Sequence, residues 1–359
     1  MSDKDPTEKA LFANTFGSLL AEEPERFRSP SKRKILYFSY LFKKMRGFHM
    51  KSAVEISKHI LLFLLIVLSL ILVVLFPRDV EIRAEGRAQT VIYDFQFSWS
   101  VYQENITSFF SGLYQDKSLG LTKYERPVEE EMKLYFSRSI KIIMTAFLLS
   151  SIFGILKGVY DASHPSPLGM IFGKGFTWVL QAIPDFFLFL CLQWVLIIYF
   201  KDYVDLFGHD NWYSFLYPAL LVSIYPALYI SRITAASFQE QSDKQYIMVA
   251  HSKGLPQAFI TFKHVLKNSA VPILNHAGSM MIYILSNLLI VEYLLDYKGA
   301  AYRLFEAFNV MPVLSVGLNT AIEPNVIIAF GTSFMLLVLI VQITSLLIKR
   351  MIDPREGGV

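Results

Sequence analysis

Six mostly apolar stretches punctuate the chain, at 60–76, 140–156, 175–200, 213–230, 271–295 and 326–348. A helix crossing the hydrocarbon core of a bilayer needs about 20 such residues, so each is a candidate span. The first and last carry no charge at all. The second is short and flanked by Lys141 and Lys157, whose long side chains can reach the interface. Between the first two spans, "VIYDFQFSWSVYQ" alternates with period two among aromatics and predicts a strand or two and some helix. The pattern therefore predicts an all-α membrane protein of about six helices, with an insertion after the first.

Composition agrees with that reading. Of the 359 residues, 53% are hydrophobic and 15% aromatic, too much apolar surface for a water-soluble fold to cover. The one cysteine, Cys191, lies inside an apolar run, so no disulfide framework or cysteine metal site is available. No small-residue cleavage site follows the first span, which reads as a retained anchor and not a secretory signal.

Charge placement orients the spans. From Arg26 to Lys51 there are nine basic residues and no acidic one, which puts the N-terminus in the cytoplasm by the positive-inside bias. Six crossings return the C-terminus to the same side. Arg232, Lys244, Lys253, Lys263 and Lys267 then fall on an inside loop, as do Lys349, Arg350 and Arg355. The expected organisation is a cytoplasmic extension at 1–50, a first span at 51–76, an extracytoplasmic loop domain at 77–139, a transmembrane core at 140–348 and a cytoplasmic tail at 349–359. The basic extension reads equally as an amphipathic helix on anionic lipid or as a tail that only fixes topology.

The loop at 242–272 interrupts two apolar runs with a basic, amphipathic passage. Ser242 and Gln245 have the spacing of a capping box, which predicts a helix over 243–253. Gly254 suits the left-handed residue that ends it, and Pro256 the first turn of a second helix. In that second helix Phe259, Phe262 and Leu266 recur at helical spacing, and Pro272 marks re-entry into the membrane. Pattern alone fits an interfacial helix pair on headgroups as well as a rigid knob that docks a partner.

The order of residues in this passage resembles the cytoplasmic coupling loop of ABC transporter permeases, in the form found in the dipeptide/oligopeptide (and nickel) importer family. The matching positions are Tyr246, Ala250, Lys253, Gly254, Leu255, His264, Leu266, Asn268 and Pro272. Ser252 and Ser269 stand where the family usually has alanine, and Lys267 where it often has arginine. Similar segments follow in the family's order: "RPVEEEM" at 126–132, "IPDFFLFL" at 183–190, Val291-Glu292, "DYKGAAYRLFEA" at 296–307, Met311-Pro312-Val313 and Ile352-Asp353-Pro354-Arg355. Lys298, Ala301, Gln342 and Leu346 depart from the family pattern, which marks a divergent member.

The resemblance implies a permease subunit of an ATP-driven importer in the bacterial plasma membrane, moving peptides or a similar small solute. It implies a second homologous permease, two ABC ATPase subunits and an extracellular or periplasmic solute-binding protein as partners, with no nucleic acid. ATP and magnesium would be used by the ATPases, and this chain would bind no cofactor and catalyse no reaction. Phe259 and Phe262 would be apolar anchors for helix-in-groove docking.

The residues themselves add two intramembrane acids. Asp185, after Pro184 in the third span, and Glu292, late in the fifth, are candidates for the translocation path because lipid exposure of a carboxylate is costly. Glu292 reads equally as an interfacial acid with a satisfied hydrogen bond. The segment Gly169–Gly175 is one residue short of a P-loop and lacks its serine or threonine, and reads as a turn opening the third span. No His-Glu-x-x-His pair or Gly-x-Ser-x-Gly elbow suggests a membrane hydrolase. Two further function classes fit the same chain: an ion-coupled secondary transporter using Asp185 and Glu292, and a non-transporting scaffold or sensor built on the basic N-terminal region.

Overall fold

A computed structural model describes residues 54–77, 80–85, 90–95, 97–163, 171–200, 208, 211–308 and 322–352. Residues 59–354 form one compact unit. The basic N-terminal stretch, Met311-Pro312-Val313 and the tail from Asp353 lie outside the described residues.

Among the described residues, five helices are long and apolar enough to span a bilayer: α1 (Val54–Val74), α3 (Val128–Ser163), α6 (Leu216–Ser242), α10 (Ala277–Leu294) and α12 (Pro324–Ile352). A sixth span is broken. Gly173–Ala182 and Asp185–Tyr199 together pass the same test but meet at 101°; the helical parts are α4 (Phe176–Ala182) and α5 (Asp185–Phe200). Pro184 separates them, since it has no N–H to continue the ladder of α4. Tyr225 of α6 donates its hydroxyl to the carbonyls of Leu180, at 3.2 Å, and Ile183, pairing backbone groups that the break would strand.

The insertion holds both strand and helix. An antiparallel hairpin, β1 (Val80–Glu85) with β2 (Thr90–Phe95), pairs Val80 with Phe95 and Glu85 with Thr90. Helix α2 (Trp99–Gln115) follows. The second span is much longer than its apolar run, because α3 begins at Val128 with Glu129, Glu130 and Glu131 in its first turn, where the helix dipole favours acids.

The centre of the bundle is the parallel pair α3 and α6. Ser150, Gly154 and Gly158 recur every fourth residue on α3, facing Ser223, Ala227 and Ser231 of α6. A Cβ on Gly154 would lie 2.8 Å from the Ala227 carbonyl oxygen, and one on Gly158 would lie 2.5 Å from that of Ser231. Small residues at this spacing let backbones approach closely, which is how apolar helices associate when lipid offers no hydrophobic gain. Ser150 adds a hydrogen bond of 3.0 Å to the Ser223 carbonyl, near the gap that Pro226 leaves in the α6 ladder. Around this pair Ile142, Ile143, Ala146, Phe189, Val222, Met281, Ile284 and Leu288 form the buried core.

At the end that carries the insertion, a buried ionic cluster joins three elements. Arg303, on α11 (Ala300–Phe308), is fully buried; its Nε donates to Glu131 at 2.7 Å and its two terminal nitrogens grip Glu323 at 2.8 Å each. Glu323 also accepts the Lys123 N–H at 2.8 Å, and Thr122 donates to Glu131 at 3.1 Å. Burial alone would lower the Arg303 pKa; hydrogen bonds to the two carboxylates outweigh it and hold the guanidinium charged, above its ordinary value. Burial would likewise raise Glu323, yet the bonds from Arg303 and then from the Lys123 N–H hold it below its usual 4.5.

Two predictions follow from these contacts. Gly158→Leu, which drives a side chain into α6 backbone, should cost at least about 2 kcal/mol and lower the thermal unfolding midpoint in detergent. Gly112→Ala, where a Cβ meets only Asp116 at 3.9 Å, should leave it unchanged. For the cluster, Glu323 has a folded pKa below its unfolded value of 4.5, so its contribution is full above that pH and lost as pH falls through the folded value. Arg303→Met should cost about 3–5 kcal/mol at neutral pH by stranding two carboxylates. Its midpoint should then rise on acidification, opposite to the parent, because stranded buried acids take up protons on folding.

Candidate functional site

The passage at 242–272 folds as a bent protrusion at the opposite end of the bundle. Helix α7 (Gln245–Ser252) leads to Gly254, whose φ of +70° turns the chain. The turn is a Schellman motif: the Gly254 N–H donates to the His251 carbonyl at 2.9 Å and the Leu255 N–H to that of Ala250 at 3.4 Å. Nothing lies within 4 Å of a Cβ built on Gly254. Glycine is required there for its backbone conformation and not for space. Pro256 caps α8 (Gln257–Phe259), a π turn follows at Ile260–Val265, and α9 (Leu266–Asn275) completes the return.

Two expectations fail in detail. Ser242 does not cap α7. It is the last residue of α6 and its hydroxyl bonds back to the Phe238 carbonyl at 2.9 Å, while Lys244 takes the cap position. Phe259, Phe262 and Leu266 do not share one face either. The wide π turn delays the rotation of the chain, so Leu266 packs on the main core while Phe259 and Phe262 stay exposed, Phe262 at 60%.

The inner face of the protrusion is apolar and anchored. Ile247, Ala250, Ile260 and Val265 are buried with Phe238 of α6, and Tyr246, Leu255, Val159 and Ala162 pack around them. Val159 and Ala162 belong to the last turns of α3, so the protrusion rests on the ends of the two helices that form the central pair. Tyr246 donates to Gln241 at 2.9 Å. At the far side, α12 holds the end of α9: Ser345 donates to the Leu274 carbonyl at 2.5 Å and Lys349 to Asn275 at 2.6 Å.

The outer face is different. Met248, Val249, Phe259 and Phe262 are exposed, with Lys253, Lys267 and Asn268 also exposed beside them. Lys263 holds its ammonium 4.7 Å above the Phe259 ring, and His264 meets that ring edge-on at 5.8 Å. Pro272 lies inside α9, and the chain breaks only at His276, before α10. Met248 and Val249 escaped the sequence reading because their exposure follows from which side of α7 meets α3 and α6, a tertiary fact.

Next to the protrusion, a second polar cluster pins the broken span. Lys157 donates to Asp161 at 2.5 Å, Thr177 at 2.9 Å and the Gly173 carbonyl at 3.1 Å. Thr177 and Ser231 also donate to Asp161, which is buried. Gly173 is kinked out of helical geometry within Ile171–Gly175, at the turn that opens the third span.

The two acids occupy unlike environments. Asp185 is partly exposed at the N-terminus of α5, next to exposed Pro184, and its carboxylate accepts the Phe186 N–H at 2.9 Å. Glu292 is fully buried: it accepts from the Ser139 hydroxyl and from the Tyr302 N–H at 3.0 Å, while Ser139 accepts the Ala300 N–H at 2.6 Å. Glu292 and Ser139 thereby satisfy the first free N–H groups of α11. No hydrogen bond or ion pair among the described residues joins Asp185 to Glu292. Among the described residues, no group of three or more His, Cys, Asp or Glu side chains could hold a metal ion.

Residues 141–357 match the family model described as the binding-protein-dependent transport system inner membrane component. The chain is 25% identical over 260 residues to a dipeptide transport system permease protein of Alkalihalophilus pseudofirmus, covering 64% of this chain and 74% of that one. It is 24% identical to glutathione transport system permease proteins of Escherichia coli, over 224 residues, and Salmonella typhimurium, over 226, covering 61% of this chain and 69% of each. A bundle of five or six apolar spans and a family match over more than half its length together make this chain a member of the binding-protein-dependent transport system inner membrane components.

Proposed function

We propose that this chain is one permease subunit of an ATP-driven importer for peptides or a similar small solute, and that the protrusion at 242–272 couples it to an ATPase. The observation that carries this reading is the two-sided protrusion itself. Its inner face is fixed to the ends of α3 and α6, and its outer face offers Met248, Val249, Phe259 and Phe262 ringed by Lys253, Lys263 and Lys267. Apolar anchors give affinity in a groove, and flanking charges set register.

Work then enters from other chains. A second permease and two ATPase subunits complete the translocation machine, and the ATPases hold the ATP and magnesium. Their closure draws two such protrusions together and rocks the spans as rigid bodies between states open to one side or the other. A solute-binding protein delivers cargo from outside, with the 77–139 insertion helping to receive it. Both termini lie in the cytoplasm. Tyr246, Ala250 and Leu255 hold the protrusion's shape, Gly254 sets its elbow, Phe259 and Phe262 dock, His264 supports the Phe259 ring, and Asn268 and Pro272 shape the return. Pro184, exposed at the broken span, and partly exposed Asp185 line the path, where Asp185 meets a cationic group of the solute. Glu292 contributes by fixing α11 at the outer end of that path.

Phe262→Ala should weaken ATPase co-purification and uptake while membrane insertion stays normal. Gly254→Asp and Gly254→Arg should abolish uptake, whereas Gly254→Asn, which tolerates positive φ, should retain much of it. Wild-type co-purification in all of these would remove the protrusion from the coupling role. For the path, Asp185→Asn should change the kinetics of solute uptake with the assembled complex intact, and unchanged kinetics would remove Asp185 from it.

A further inference from the structure

Helix α2 carries more apolar surface than the fold uses. Tyr102, Ile106 and Phe109 pack onto the cluster formed by the last turn of α1 and the start of α12. Trp99, Phe110, Leu113 and Tyr114 do not; they are exposed, Trp99 at 60% and Tyr114 at 86%. At 3.6 residues per turn these four fall within an arc of about 100° on one flank of the helix. Ser100, Glu104, Ser108, Ser111 and Gln115 occupy the opposite side. The helix contains no lysine or arginine.

Its depth is set by hydrogen bonds to α1. Tyr102 donates its hydroxyl to the Leu72 carbonyl at 2.8 Å, and Asn105 donates its amide to that of Leu75 at 3.2 Å. The apolar run from Ile60 to Phe76 is about 25 Å long at 1.5 Å per residue, so its last turn reaches the edge of the hydrocarbon core. The first two turns of α2 are therefore held at headgroup level. Leu72 and Val73 of α1 and Phe76 just after it are exposed, so the apolar flank of α2 extends a surface that already faces lipid. Rings cluster where the two helices meet: Phe76, just past α1, stacks on Phe97 at 5.3 Å and meets Tyr102 of α2 at 5.7 Å, while Trp99 meets Tyr102 within α2 at 5.7 Å.

We infer that α2 lies along the membrane surface with Trp99, Phe110, Leu113 and Tyr114 set among phospholipids at the headgroup–acyl boundary. Tryptophan and tyrosine suit that depth because each has an apolar ring and one polar atom that can stay hydrated. Without basic residues the contact needs no anionic lipid, and zwitterionic phosphatidylcholine suffices. The polar side of α2 is left to water, where arriving cargo or a delivering protein can reach it.

The test uses the full chain in phosphatidylcholine nanodiscs, with Trp178, Trp194 and Trp212 replaced by phenylalanine so that Trp99 alone reports. Lipid brominated near the headgroup end of its acyl chains should quench most of the emission, lipid brominated near the chain ends much less, and aqueous acrylamide little. Strong acrylamide quenching with no bromolipid effect overturns the inference and leaves the flank to a soluble protein. Should the triple variant fail to fold, Tyr114→Cys in a Cys191→Ser background carries a spin label. Its relaxation should respond more to oxygen than to a water-soluble nickel chelate, and the reverse order overturns the inference.

Discussion

Two carbonyl oxygens of α6, those of Ala227 and Ser231, lie against Gly154 and Gly158 of α3, and the rest of the molecule is mounted on that contact. In hydrocarbon two apolar helices gain nothing by hiding from solvent, so their association depends on shape and on the few polar bonds they exchange. A seam of small residues supplies the shape. It also fixes the helices' relative height, because a slip by one residue along either axis puts a larger side chain against backbone. The protrusion inherits this rigidity, since its buried face is made of Phe238, Val159 and Ala162 at the ends of the same two helices. The protrusion and the ends of α3 and α6 are thus packed as one unit.

The two ends of the bundle are held by different chemistry. At the protrusion the contact is mostly apolar, with the Lys157–Asp161 pair clamping the kinked start of the third span beside it. At the other end, hydrogen bonds to Glu292 and Ser139 fix the first turn of α11, and a charge cluster, Arg303 between Glu131 and Glu323, holds the helix in place. Such clusters tolerate little rearrangement, because separating any member leaves an uncompensated charge out of water. A residue that first reads as a path-lining acid, Glu292, thus belongs to the frame in this conformation.

Hydropathy made the spans legible, and it failed where helices leave the apolar register. Residues 128–139 are amphipathic, with Glu131 turned inward to Arg303, so a window tuned to lipid stops near 140 although the helix does not. The glycine elbow was readable because a left-handed residue and a following proline are local requirements. The capping box was not, since Ser242 satisfies an equally local alternative by bonding back within α6. The Gly154-x-x-x-Gly158 spacing is itself a local signal of a close helix pair. The Arg303 cluster was beyond reach, because its partners lie 172 residues before and 20 after it in the chain and only the fold brings them together.

A polar solute crossing this bundle needs polar groups to meet, and intact helices have none to offer from their backbones. The break at Ile183-Pro184 is where backbone is released from the ladder. The structure answers it from both sides: Tyr225 takes up the carbonyls of the α4 end, and the Asp185 carboxylate accepts the Phe186 N–H at the start of α5. Each answer places a polar side chain at the bend, in a region otherwise built of phenylalanine and leucine. The same proline that interrupts the span therefore gathers polar side chains around the interruption. The clamp at Lys157 and Gly173 keeps the first half of the span tied to α3, so that the bend is held by the same rigid pair that carries the protrusion.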